Sequence, residues 1–349
     1  MQIKKLGQRN LSIECAKLIA SFFVIFIHIP FPGTVGHGIN CAARCAVPLF
    51  FAVSGYFSYQ TPCGKLAKRL GHILLLFCAG AAMDVLWECM MIEFGGGSSI
   101  GYLRAVIPDG KEWIEWLYLN INPYSDHLWY LAAAATCYAV LWLYVRFFDG
   151  QEVDYRPLYI LGAVLLAVNL LTGSFANAAG QPSSIFLVRN GLVFGLPVFC
   201  MGLFLNQYGQ RIRHAYRLTD GKLLLITAAG VLWSQVEWFR IGICDSMPGS
   251  ILAVMALMLL LTAHPRLPWA GERLKKLISR FGFWSTVIYI FHPVVIEAYT
   301  AFLKDTVAAQ LGEKEGWAAP AIVALISLAA AVLWEMVFSF VKKLRKKKP

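Results

Sequence analysis

At 349 residues, with 58% hydrophobic, 14% aromatic and only 15% charged residues and a mean hydropathy of +0.60, the chain is too apolar for a water-soluble domain. The net charge of +11 would suit a polyanion-binding protein, but most of the Lys and Arg fall in alternate links between apolar runs, which is membrane topology rather than a nucleic-acid footprint. Nine cysteines with no Cys-x-x-Cys pair and no Cys/His cluster support neither a zinc site nor a disulfide framework.

In chain order, spans of about 20 residues are expected at Leu11 to Pro30, Ala42 to Tyr59, and His72 to Glu93. A long link from Phe94 to Ser125, with a Gly-rich start and Trp113 and Trp116 in a short amphipathic stretch, reads as an interfacial helix or lid. Further spans follow at Asp126 to Phe147, Pro157 to Leu171, Ser184 to Leu205, Leu223 to Phe239, Ser250 to Ala263, Gly282 to Ala301 and Trp317 to Val341. The chain is thus expected to be one all-α polytopic domain over residues 1–349, a bundle of about ten transmembrane helices. The first helix is long, lacks a small-residue cleavage site and leads straight into more spans, so no cleavable signal peptide is expected.

The basic links are Lys65, Lys68 and Arg69; Arg146 and Arg156; Arg211 to Lys222; and Arg266 to Arg280. Together with Lys4, Lys5 and Arg9 at the start and the tail from Lys342 to Lys348, they put both termini in the cytoplasm.

Ionisable groups inside such spans are functional candidates, because a chain keeps them in hydrocarbon mainly where they face a protein-lined cavity. Span one carries Lys17 and His28, and the next apolar helix carries Arg44. Eleven residues of helix separate Lys17 from His28 by roughly 16 Å and leave them about 20° apart around the axis, so one elongated ligand can touch both. Two plainer readings stay open: Lys17 snorkels to the interface, and His28 anchors the helix among headgroups. Asp84 and Glu88, four apart, share a helix face and do not look at lipid. His292, with Tyr289 before it and Pro293 after, is either a secondary site residue or a satisfied core histidine. Gly55 permits close helix approach, and Trp129 and Tyr130 read as belt anchors at the interface. No Gly-x-Ser-x-Gly elbow, P-loop or dinucleotide fingerprint is present.

Lys17 followed after ten residues by His28, then Arg44-Cys45-Ala46-Val47-Pro48-Leu49-Phe50-Phe51 and Ser54-Gly55-Tyr56-Phe57, resembles the N-terminal signature of the acyltransferase-3 family of membrane O-acyltransferases. The Lys65/Lys68/Arg69 link, His127-Leu128-Trp129-Tyr130-Leu131, Arg189-Asn190-Gly191 and Ile288-Tyr289-Ile290-Phe291-His292-Pro293 follow in that family's order. The Arg189 and His127 elements are also similar to the membrane part of vancomycin-resistance serine racemases, which keeps a second reading open: a transporter of a small polar solute or of a glycan.

The family resemblance implies a multi-pass protein of the cell membrane that moves an acyl group, usually acetyl from acetyl-CoA, to a hydroxyl of an envelope glycan or related acceptor. The implied partners are the lipid bilayer, acyl-CoA and that acceptor, with no metal and no nucleic acid. His28 takes the role of general base, while Arg44 and Arg189 steady developing negative charge or orient the acceptor. Lys17, Lys68 and Arg69 are the donor-binding candidates, and His292, Tyr289, Asp84 and Glu88 the secondary ones. A structural role for either arginine, paired with Asp84 or Glu88, is the alternative.

Overall fold

The computed structural model describes residues 9–106, 110–120, 125–148, 150–181, 188–242, 244 and 246–346. Lys4, Lys5, Lys347, Lys348 and the expected start of span six at Ser184 lie outside the described residues, as do the side chains of Trp116 and of the tail from Lys343. Among the described residues there is no strand. The helices are α1 (Leu11–His28), α2 (Gly33–Ala43), α3 (Ala46–Tyr56), α4 (Cys63–Phe94), α5 (Ser99–Ala105), α6 (Gly110–Leu119), α7 (Trp129–Phe147) and α8 (Arg156–Leu170). They continue as α9 (Leu196–Ala215), α10 (Asp220–Ile241), α11 (Pro248–Ala263), α12 (Glu272–Ile278), α13 (Phe281–Ala298), α14 (Lys304–Leu311) and α15 (Glu315–Lys346).

Seven helical runs among the described residues, rather than ten, are long and apolar enough to cross a membrane. They are Leu11–His28, Gly33–Tyr56, Cys63–Phe94, Asp126–Phe147, Arg156–Ala178, Gly191–Ala215 and Glu272–Lys342. The last is 71 residues long and contains α13 and α15 up to Lys342, and so both the ninth and tenth expected spans. The expected seventh span, α10, is outside the seven, and the eighth, α11, is a shorter apolar helix. Two boundaries move. Span six runs on to Ala215, so Arg211 and Arg213 belong to the end of a helix rather than to a link, and most of the expected link before span two is helical, as α2, with Arg44 and Cys45 in the break between it and α3.

The chain falls into two compact units. The first comprises Met1–Leu49, Thr219–Leu224 and Ala256–Pro349. Its α1 starts where the Asn10 side chain accepts from the Ile13 N–H at 3.1 Å, a cap that occupies one of the orphan donors of the first turn. The Leu18 and Ile25 side of α1 packs with Trp284, Ile288 and Val295 of α13 and with Val323 and Ala331 of α15. Within a bilayer such contacts hold by close packing and by polar bonds between helices, because lipid is as apolar as the side chains. The polar bonds are present: Trp284 Nε1 donates to Glu335 at 2.7 Å, Arg280 Nε pairs with the same carboxylate at 3.1 Å, and Tyr299 donates to Glu315 at 2.7 Å.

The second unit comprises Phe50–Leu218 and Leu225–Met255. Here α4 packs on α7, and α8 on α9. Small residues bring backbones together, as expected at Gly55: a Cβ there would run into the Phe199 carbonyl, and one at Gly202 into the Ala52 carbonyl. Asn206 then reaches across to the Tyr56 carbonyl at 2.7 Å. Trp129 and Tyr130 are not belt anchors. Both rings pack against Phe51, at 6.4 and 4.8 Å between centroids, and so serve the interior of this unit.

Candidate active site

His28 closes α1 and is exposed. Its ring centroid lies 5.1 Å from that of His292, at an interplanar angle of 44°. His292 comes from α13, is 0% exposed, and places Nδ1 2.8 Å from the Tyr289 carbonyl oxygen. The two histidines singled out in the sequence, 264 residues apart, are thus neighbours within the first unit. An exposed imidazole beside a buried one is suited to proton transfer, since neutral imidazole has a donor nitrogen and an acceptor nitrogen.

Lys17 stands on the same unbroken helix, with Nζ 3.5 Å from Glu14 Oε2. Both head groups crowd the Cα of Gly282, where a Cβ would collide with the carboxylate, and the Ser285 hydroxyl donates to the Lys17 carbonyl at 2.9 Å. The lysine is therefore paired with an anion of its own helix. Arg44 occupies the break between α2 and α3, where its side chain is half-buried.

In the second unit Arg189 is the best-defined cation. One guanidinium nitrogen is 3.2 Å from both carboxylate oxygens of Asp126, and its carbon lies 5.0 Å from the centre of the Trp129 ring. The carboxylate partner is Asp126 rather than the expected Asp84 or Glu88, because the Asp126 turn that opens α7 brings acid and ring to the guanidinium together. Asp84 turns elsewhere. The Ser125 hydroxyl donates to Asp84 Oδ2 and lies 2.8 Å from His127 Nδ1, while that nitrogen is 3.9 Å from the same carboxylate. An ionised carboxylate only accepts, so the Ser125 proton goes to Asp84 and the Ser125 oxygen accepts from His127 Nδ1–H. Glu88, one turn beyond Asp84, is half-buried.

Of the two expected phosphate-binding residues in the basic link, Lys68 is exposed, whereas Arg69 donates to the Phe57 carbonyl at 2.9 Å and to Ser58 Oγ at 3.0 Å. Arg69 thus closes the end of α3. Nearby, a cavity of about 770 Å³ is lined by Gln60, Thr61, Arg146, Gln151, Glu152 and Tyr155 among others. Burial pushes the Tyr155 phenol up, and its oxygen accepts from the Gln60 N–H at 3.1 Å. The presence of Glu152 beside Arg146 makes this a mixed polar cleft rather than a polyphosphate cradle.

Sequence reasoning missed Glu14, Asp126 and Ser125 as partners. Glu14 had a readable signal, three residues before Lys17 on one helix face. Asp126 and Ser125 had none, since their partners lie 63 and 41 residues away. Among the described residues no three His, Cys, Asp or Glu side chains are placed to hold a metal ion.

Neither a curated protein nor a solved structure matches the chain. One family model does, the acyltransferase domain of the acyltransferase-3 family, over residues 10–340. That match takes in His28, His292, Lys17, Arg44, Lys68, Arg69 and the Asp126–Arg189 pair, so the chain belongs to the acyltransferase-3 family and is a membrane acyltransferase by that membership.

Proposed function

We propose that this protein is a single-domain O-acyltransferase of the cell membrane, with about ten spans and both termini in the cytoplasm, that moves acetyl from acetyl-CoA to a hydroxyl of an envelope glycan or related acceptor. The observation that carries the reading is the exposed His28 at the end of an unbroken apolar helix, next to a second imidazole and on one stripe with Lys17.

In the proposed reaction His28 takes the proton of the acceptor hydroxyl as its oxygen attacks the thioester carbonyl carbon. The carbon–sulfur bond then breaks, and His28 returns the proton to the departing thiolate, leaving an acyl ester and free CoA. Arg44 is assigned to the negative charge that develops on the carbonyl oxygen. Lys17 is assigned to the donor's phosphates at the cytoplasmic end of α1. Arg189 takes the alternative, structural role in the second unit, where Asp126 and Trp129 fix its plane.

A transporter of a small polar solute is the second reading, favoured by the buried Asp84–Ser125–His127 chain, which joins apolar α4 to the turn that opens α7. Transfer of labelled acetyl from acetyl-CoA in membranes carrying the protein separates the two. Acylated product supports the enzyme, whereas solute uptake that needs no acetyl-CoA and yields no acyl ester supports transport.

A further inference from the structure

At the end of the first unit where α13 begins and α15 finishes, the chain makes the seven-residue helix α12. A polar cluster marks this end, with Arg280 and Trp284 both reaching Glu335. Beyond it Phe338 packs on Phe283 at 6.3 Å between centroids, and the exposed Lys342 follows one turn later on α15. A helix as short as α12 needs support from outside its own backbone. It has two: Ile278 is buried, and Arg9 donates to the carbonyl of Ser279, the residue that caps it.

Around the axis of α12, in steps of about 100°, Ile278 is followed by Leu274, Leu277, Arg273 and Lys276, the last four within about 160°. Leu274 and Leu277 are 39% and 40% exposed, and Trp269, in the turn that leads into the helix, is 73% exposed. Arg273 and Lys276 are exposed as well. Lys275, on the remaining side, pairs with Glu272 at 2.9 Å. One short helix thus shows an apolar strip bordered by the core on one side and by cations on the other. Water suits only the cations, and a soluble polyanion or an acidic protein segment would answer them while leaving the apolar strip uncovered. An anionic membrane surface satisfies both strips at once.

We propose that this end of the first unit is a docking surface for anionic phospholipid: Trp269, Leu274 and Leu277 lie among the acyl chains just beneath the headgroups, and Arg273, Lys276 and Lys342 bind the lipid phosphates. The bound headgroups fix the depth at which α13 and α15 stand in the bilayer. The inference does not depend on the role assigned to His28, and it applies to an enzyme and a transporter alike.

The full chain, purified in detergent, is incubated with equal amounts of phosphatidylglycerol and phosphatidylcholine, and the lipid retained through size exclusion is quantified by mass spectrometry. Wild type should retain phosphatidylglycerol in excess, and salt should reduce the excess. Arg273→Gln with Lys276→Gln should cut it by about fivefold or more. Trp269→Ser with Leu277→Ser, which removes no charge, should also lower it. Lys65→Gln with Arg156→Gln, which takes the same charge from the second unit, should leave it in place. No excess in wild type, or displacement of the retained lipid by soluble glycerol phosphate, would overturn the proposal without any variant. An undiminished excess in either first-unit variant, or an equal loss in the second-unit variant, would overturn it too.

Discussion

His28 and His127 are the same side chain in opposite surroundings. His127 is enclosed, with its Nδ1 committed to Ser125 and that serine committed to Asp84. His28 ends a helix, stays exposed, and has another imidazole as its neighbour. A ring whose donor is committed in a buried network holds elements in place; a ring open on one side can meet a hydroxyl from outside. The difference locates structural polarity in the second unit and the proposed chemistry in the first. It also divides the cations, since Arg189 is held by an acid and a ring from the start of α7, whereas Lys17 pairs with a neighbour on its own helix.

The contrast can be broken most forcefully at Asp84. If the His127 network is structural, Asp84→Ala strands a buried serine and histidine and should cost about 3 to 5 kcal/mol, seen as loss of folded protein in detergent melting. A stable Asp84→Ala protein that has lost only acetyl transfer would move the chemistry into the second unit. Next in size is Gly55→Ala, whose new methyl meets the Phe199 carbonyl. It should lower thermal stability by about 1 to 3 kcal/mol without changing kcat of the protein that remains folded.

Smaller effects sharpen the division among the cations. Arg189→Lys keeps the charge but loses the planar contact with Asp126 and Trp129, so thermal stability should fall by about 1 kcal/mol with KM for acetyl-CoA unchanged. Detergent melting and steady-state kinetics would check this. The smallest change is expected for Lys17→Ala, a few-fold weaker acetyl-CoA binding measured by titration. Unchanged affinity there would leave Lys17 as the Glu14 partner alone.

The legible part of this fold is the part governed by local periodicity. Apolar runs marked the helices at Leu11, Cys63, Asp126 and Arg156 to within a few residues, except that α4 begins nine residues before the expected His72. The stripe from Lys17 to His28 needed only the helical repeat. The break at Arg44 escaped because the apolar run continues through it, and the long extension of α9 to Ala215 escaped because its last turns are polar. Pairings made through space could not be read at all. Nothing in the spacing chose Asp126 over Asp84 for Arg189, and nothing in it brought His28 to His292, which were singled out separately.

The most direct measurement is transfer of labelled acetyl from acetyl-CoA to the native envelope fraction by membranes carrying wild type or His28→Ala protein, with CoA binding titrated in parallel. A positioned base is typically worth about 10² to 10⁴-fold, so the account predicts loss of most of the turnover in His28→Ala, with CoA binding nearly unchanged because the donor's phosphates are assigned to the far end of α1. Equal transfer by the two proteins would contradict it.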